Sequence, residues 1–147
     1  LLPGIGRQLG LGISILSGLI LIFESWFGRF SKGIYFIWLA CLSLVLGQWL
    51  NVQTDPGNFV IMFPAILLGM RLLEGRWLAK GKIVSILILF IFLIVPWVIF
   101  LNTVIYDYQP IQSPVMFFPV PLLLLILMYW VRWWAKNPSI NVLANSL

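Results

Sequence analysis

The feature that most constrains this chain is a run of 23 residues without a charged side chain, at positions 83–105. The hydrocarbon core of a bilayer is about 30 Å thick, and a helix needs about 20 apolar residues to cross it. Four more apolar blocks lie at about 9–27, 34–50, 59–73 and 115–131. Hydropathy therefore predicts five transmembrane helices. Five or six spans are also the most that 147 residues can supply with short loops.

Composition agrees with this interpretation and removes several kinds of active site. Hydrophobic residues make up 62% of the chain and charged residues 9%, whereas soluble domains have about 45–50% and about 25%. The predicted fold class is all-α, a polytopic transmembrane helix bundle. With no histidine and one cysteine, the chain cannot supply a Cys/His zinc site, an iron-sulfur site, bis-His haem ligation or a Ser-His-Asp triad. We expect no cofactor and no metal.

The basic residues give the five helices an orientation. With five spans, one side of the membrane takes eight of the nine Lys and Arg residues: Arg29, Lys32, Arg71, Arg76, Lys80, Lys82, Arg132 and Lys136. The other side takes Arg7 alone. Because short cytoplasmic loops are enriched in Lys and Arg, the sequence predicts an outside N-terminus and a cytoplasmic C-terminus.

The same residues predict membrane lipids as partners. Basic side chains beside an anionic leaflet contact its headgroups, and we expect this of five of them: Arg71, Arg76, Lys80, Lys82 and Arg132. Six tryptophans fall at predicted span ends, where amphipathic rings prefer to lie. The run at 129–134 is therefore predicted to be an interfacial anchor. No nucleic-acid partner is expected, since the chain has no basic face or motif suited to one.

The four carboxylates divide by side. Glu24 and Glu74 lie among basic residues at the inner ends, where we expect solvated or headgroup-level ion pairs that contribute little energy. Asp55 and Asp107 lie in the two outer loops, at 51–58 and 106–114. A polar site on the outer face would be built from these loops, and its candidate substrate-binding residues are Asp55, Asn58, Asp107 and Tyr108. The alternative is that these aspartates are turn or cap residues.

The two outer loops also begin similar segments, at 54–68 and 112–124. Each passes through Phe-Pro into a Leu-rich helix. Repeats of this kind can surround a transporter's substrate site, but convergence or a local packing repeat is the favoured explanation. The spans hold almost no ionisable group, whereas ion-coupled transporters usually need one. A transporter segment is therefore one functional hypothesis, and the lack of buried charges weakens it.

Residues 45–136 resemble the C-terminal helices of bacterial polytopic glycosyltransferases of the GT-C class, the mannosyltransferase-like branch included. The resemblance lies in the Thr-Asp-Pro-Gly-Asn loop before Phe-Val-Ile-Met-Phe-Pro, the Glu-Gly-Arg-Trp loop, the Pro-containing long helix and the ending Tyr-Trp-Val-Arg-Trp-Trp. It implies an enzyme of the bacterial inner membrane that transfers a sugar from a polyprenyl-phosphate donor at the outer face. Its catalytic Asp would lie in a first outer loop. This chain has too few helices and no candidate for that Asp, so no catalytic residue is assigned.

Two functions follow as expectations. The first is that residues 1–147 form one transmembrane helical domain of such a glycosyltransferase, with a polyprenyl-phosphate-linked sugar as ligand. Because the chain starts with Leu1 and lacks signal-peptide features, we expect it to be a fragment of a longer polypeptide. The alternative is a non-catalytic accessory subunit that packs against other membrane subunits. Both predict a multi-pass membrane protein.

Overall fold

The computed structural model describes residues 3–50, 60–107 and 118–138. These ranges contain five α-helices and no strand: α1 (Pro3–Gly28), α2 (Ile34–Gly47), α3 (Phe63–Trp77), α4 (Ala79–Asp107) and α5 (Pro119–Lys136). Each helix overlaps one of the five apolar blocks. The predicted all-α class with five helices is therefore confirmed for this part of the chain.

Helices α2, α3 and α5 pack against one another and form the core. The buried side chains of α2 recur every three or four residues, at Tyr35, Trp38, Cys41, Leu42, Val45 and Leu46, which is the spacing of one helix face. Facing positions on the two other helices are equally buried, among them Leu72, Leu73, Leu124, Met128 and Val131. Almost every residue of α2 is apolar, so its buried face is set by this packing rather than by polarity.

Helices α1 and α4 flank the core, α1 mainly against α2 and α4 mainly against α3. Within the described part of the chain, they contain the two segments long and apolar enough to cross a membrane, Gln8–Gly28 and Ala79–Val98. Only 11% of each segment is buried. Large side chains such as Ile22 and Phe90 are 67% and 60% exposed. The protein therefore presents two long apolar surfaces on its outside.

Proline marks the start of two core helices. Pro64 and Pro119 lie in the first positions of α3 and α5, where the missing N–H costs no hydrogen bond and the fixed φ suits the helix. Pro96 lies inside α4, which continues to Asp107. The kink that we expect at Pro96 stays a prediction.

The connection between α3 and α4 is shorter than the loop at 74–82 that lies between the predicted spans 59–73 and 83–105. α3 continues to Trp77 and α4 begins at Ala79, so Leu78 alone joins them. Leu78 has φ 51°, a left-handed conformation that is unfavourable for a side chain with a Cβ. A Cβ at Gly81 would lie 2.3 Å from the Leu73 carbonyl oxygen. Glycine therefore allows the two backbones to meet this closely.

Contacts between helix ends define the two ends of the bundle. The end of α1 contacts the start of α2 and the end of α5 through Glu24, and the end of α3 contacts α5 through Trp77 and Trp134. We call this the basic end, because it carries Arg29, Lys32, Arg76, Lys80, Arg132 and Lys136. We call the opposite end, where α2 ends and α3 and α5 begin, the loop end.

Candidate functional site

A buried ion pair joins α1 to α5 at the basic end. Glu24 is 2% exposed. Its Oε2 accepts hydrogen bonds from Nη2 of Arg132 at 2.9 Å and from Nε at 3.3 Å. The carboxylate therefore faces a guanidinium from a residue 108 positions later in the chain.

Two tyrosines complete the surroundings of this carboxylate. The hydroxyl of Tyr35, on α2, donates to Glu24 Oε2 at 3.2 Å. The hydroxyl of Tyr129, one turn before Arg132 on α5, donates to Oε1 at 3.3 Å. Both carboxylate oxygens thus accept hydrogen bonds from the protein, as a buried charge requires. We call Glu24, Tyr35, Tyr129 and Arg132 the Glu24 cluster.

Trp38 holds the aromatic side of this cluster in place. Its ring stacks on that of Tyr35, with centroids 5.3 Å apart and planes 7° from parallel, and meets Tyr129 edge to face at 6.1 Å. The Arg132 guanidinium carbon lies 5.9 Å from the Trp38 ring centroid. Trp38 is fully buried, and its Nε1 donates to the Met128 carbonyl oxygen at 2.7 Å. The cluster therefore joins α1, α2 and α5 in one arrangement.

The sequence-based expectation for Glu24 is half right. It has a basic partner, but the carboxylate is buried between helices rather than solvated. Burial follows from helix packing, which brings Tyr35, Tyr129 and Arg132 around it. One signal was available: Glu24 falls inside the first apolar block, and Tyr129 and Arg132 are three residues apart, on one face of a helix.

The chemical capacity of the Glu24 cluster is limited by its own hydrogen bonds. A general base must be within hydrogen-bond reach of the proton that it abstracts. Glu24 is enclosed and directs both oxygens at protein donors, so the arrangement stabilises the bundle rather than offering a proton acceptor to substrate. Arg132 differs, since its side chain remains 30% exposed.

An open groove of about 680 Å³ runs beside the cluster, between α1 and α5. Five of its lining residues are apolar side chains of α1: Leu19, Ile20, Ile22, Phe23 and Trp26. Glu24, Tyr129 and Arg132 line the rest. We call it the α1–α5 groove. It is an apolar channel with the ion pair on one wall.

At the loop end, residues that precede one predicted outer loop and follow the other lie close together. The ring of Trp49, just after α2, stacks on that of Phe118, just before α5, with centroids 5.6 Å apart. Phe63, at the start of α3, and Val120, at the start of α5, line the same small cavity of about 30 Å³. Gln48 Oε1 and Trp49 Nε1 are buried there without a hydrogen-bond partner among the described residues.

None of the four predicted substrate-binding side chains belongs to the part of the chain that the structure describes. Asp55, Asn58 and Tyr108 lie outside the described residues, as does most of the two similar segments' polar part. Asp107 is the last residue of α4, and its side chain also lies outside the described part. Their role as a substrate site stays a prediction.

Four of the residues predicted to contact headgroups lie toward the basic end, whereas Arg71 lies in the middle of α3. Arg76 lies over the Trp133 ring, 5.3 Å from its centroid. Arg71, Lys80 and Lys82 are exposed, and Arg132 pairs with Glu24. Within the 129–134 run, Tyr129 belongs to the Glu24 cluster, whereas Trp130 and Trp134 both meet Trp77 edge to face. Headgroup contact stays a prediction for all five residues.

Metal-ligating side chains and known relatives give no further assignment. Across 3–50, 60–107 and 118–138, no three His, Cys, Asp or Glu residues are grouped so that they could hold a metal ion. Comparison with family models, curated proteins and solved structures finds no match to this chain. Function must therefore be argued from the two ends of the bundle.

Proposed function

We propose that this chain is a multi-pass membrane protein of the bacterial inner membrane. The observation that carries the proposal is the exposure of α1 and α4. A core helix of a soluble protein can be equally long and apolar, but it is mostly buried, whereas each of these segments is 11% buried. Exposed apolar surface of that extent is stable against lipid and unfavourable against water.

The proposed orientation places the basic end in the cytoplasm and the loop end outside. In the topology that the sequence predicts, eight of the nine Lys and Arg residues fall on the side of the basic end, in agreement with the enrichment of these residues on the cytoplasmic side. Trp26, Trp77 and Trp130 lie at the same end, where indole rings suit the headgroup level.

Cysteine labelling tests this orientation. Cys41 is the chain's single cysteine and is buried, so Cys41→Ala provides a background for new single cysteines. With an impermeant maleimide on intact spheroplasts, we expect Thr54→Cys to react, and Lys32→Cys and Lys80→Cys to react only after permeabilisation. Labelling of all three in intact spheroplasts, or the reverse pattern, would contradict the orientation.

We further propose that the chain is part of a glycosyltransferase that uses a polyprenyl-phosphate-linked sugar at the outer face. Two observations support this. The Trp49–Phe118 stack brings the end of α2, which precedes one predicted outer loop, beside the start of α5, which follows the other. The sequence of loops and apolar blocks also resembles the GT-C class. Carboxylates and hydroxyls in such loops would position sugar hydroxyls.

Sugar transfer in membranes that contain the complete gene product tests this activity. We expect Asp55→Asn and Asp107→Asn to lower the rate at least tenfold at unchanged protein level, because each removes an ionised acceptor. Glu74→Gln is the matched control, since it removes one carboxylate at the basic end. If both aspartate variants transferred sugar at the parental rate, the loops would be connectors and the enzymatic proposal would fail.

An accessory subunit remains the second candidate, and one observation favours it. Of the two carboxylate side chains that the structure describes, Glu24 is enclosed by its partners, and Glu74 is half-buried near the end of α3, away from the loop end. The exposed faces of α1 and α4 would then pack against partner helices. Purification in mild detergent distinguishes the two candidates. Co-purification with other membrane subunits at constant stoichiometry, without transfer activity, would favour the accessory subunit.

A further inference from the structure

We infer that the α1–α5 groove binds one anionic phospholipid of the leaflet at the basic end. The inference rests on the proposed membrane location and adds a defined lipid site to it. It does not depend on the proposed sugar transfer, because the groove lies beside the Glu24 cluster at the basic end and the sugar transfer is proposed for the opposite end.

The size and lining of the groove suit a lipid chain. Its volume of about 680 Å³ falls within the roughly 300–1,000 Å³ of sites that hold small molecules. Leu19, Ile22 and Phe23 line it and are each more than half exposed. An acyl chain along this wall would cover apolar side chains, while the Glu24–Arg132 side of the groove remains polar.

The charge at the mouth of the groove selects an anionic headgroup. Glu24 balances Arg132, but two more cations adjoin the same site. The guanidinium of Arg29 lies 4.6 Å from the ring centroid of Trp26, which lines the groove. The Lys136 ammonium lies 5.0 Å from the ring of Tyr35, which donates to Glu24. These residues together are net positive.

The geometry also gives Arg132 a double role. Its Nε and Nη2 bind Glu24, so the side chain is held at the groove wall, and 30% of it is still accessible. A guanidinium fixed in this way can donate to a phosphate oxygen without first losing side-chain freedom. A zwitterionic lipid offers the same phosphate but no net charge, so it should bind more weakly.

Native mass spectrometry of the full protein in mild detergent tests the site, with phosphatidylglycerol and phosphatidylcholine as the probes. We expect one phosphatidylglycerol to bind preferentially and Arg29→Gln to weaken it about fivefold, the effect of one cation beside an anionic headgroup. Leu19→Trp, whose larger side chain narrows the groove, should weaken the preferred binding while the protein stays folded. Lys82→Gln loses the same charge away from the groove and should change the affinity less than twofold.

Two outcomes would overturn the inference. Equal weakening by Arg29→Gln and Lys82→Gln would mean that lipid is attracted by the basic end in general. Equal affinity for the two lipids, or unchanged binding in Leu19→Trp, would mean that the groove does not select. Neither outcome bears on cysteine labelling or sugar transfer, so the failure of this site and the failure of the proposed function are distinguishable.

Discussion

The Arg132 Nη2 atom lies 2.9 Å from Glu24 Oε2. This ion pair joins α1, which lies outside the core, to the core helix α5. α1 packs mainly against α2, and its opposite surface is apolar and exposed. The pair is therefore a polar contact between helices in a bundle that packs mainly through apolar side chains. The chemistry that we propose lies at the other end, so each end can be perturbed separately.

The energy of this ion pair can be measured with a double-mutant cycle of Glu24→Gln and Arg132→Gln. Removing one partner of a fully buried pair costs about 3–5 kcal/mol. Because Arg132 is 30% exposed, we expect each single variant to lower the free energy of unfolding by about 2–3 kcal/mol. The double variant should cost clearly less than both together, since it leaves no unpaired charge.

Unfolding in detergent with increasing SDS, followed by circular dichroism, supplies these energies. Glu74→Gln is the control, since it removes a carboxylate from the same end that is only half-buried; we expect a change below about 0.5 kcal/mol. Additive effects of Glu24→Gln and Arg132→Gln would contradict a coupled pair.

The two tyrosines of the cluster are expected to differ in their contribution. Tyr35 is 8% exposed, whereas Tyr129 is 37% exposed. A buried hydrogen bond to a charged group is worth about 1.5–3 kcal/mol, and water can replace an exposed one. Tyr35→Phe should therefore lower the free energy of unfolding by about 1–2 kcal/mol and Tyr129→Phe by less than half of that. The same unfolding assay decides it, and an equal or reversed order would contradict the assigned burial.

The sequence predicts the helices well because a membrane helix needs one continuous apolar run, a property of neighbouring residues. It does not predict which face of α2 is buried, since Phe36 and Leu42 are equally apolar although only Leu42 is buried. The Glu24–Arg132 contact spans 108 positions and depends on how α1, α2 and α5 pack. The substrate residues were proposed from loop polarity, and Asp55, Asn58 and Tyr108 remain outside the described residues.

The charged residues also predict the wrong structure for the turn between α3 and α4. Glu74, Arg76, Lys80 and Lys82 suggest a solvated loop, but they lie in two helices joined by Leu78. Long charged side chains at helix ends can place their polar heads in a polar environment without unwinding the backbone. Next to this turn the backbones of α3 and α4 lie so close that a Cβ at Gly81 would meet backbone atoms of Leu73 and Glu74.

A graded series of glycine substitutions tests that contact. A Cβ at Gly81 would meet backbone atoms, at 2.3 Å from the Leu73 oxygen and 2.8 Å from the Glu74 Cα. A Cβ at Gly69 would meet only the Leu127 side chain, at 2.9 Å, and Gly12 has nothing within 4 Å. We expect Gly81→Ala to lower the free energy of unfolding by about 3 kcal/mol and Gly69→Ala by about 1 kcal/mol.

Gly12→Ala is the control in this series. It should stabilise α1 by up to about 1 kcal/mol, because alanine has the higher helix propensity and meets no neighbour. Free energies from SDS unfolding give the order. If Gly81→Ala were as well tolerated as Gly12→Ala, the close approach of α3 and α4 would be refuted.

Replacing Leu78 by glycine should raise the free energy of unfolding. Its φ of 51° is strained for a residue with a Cβ, at a cost of about 1–3 kcal/mol, while its side chain is 66% exposed and buries little. Leu78→Gly removes the strain, but it also raises the conformational entropy of the unfolded chain, which costs about 0.5–1 kcal/mol of stability. A net gain of about 1 kcal/mol in the free energy of unfolding is therefore expected. Leu78→Ala keeps the Cβ and should be nearly neutral. Equal stability of the two variants in SDS unfolding would show that the turn carries no such strain.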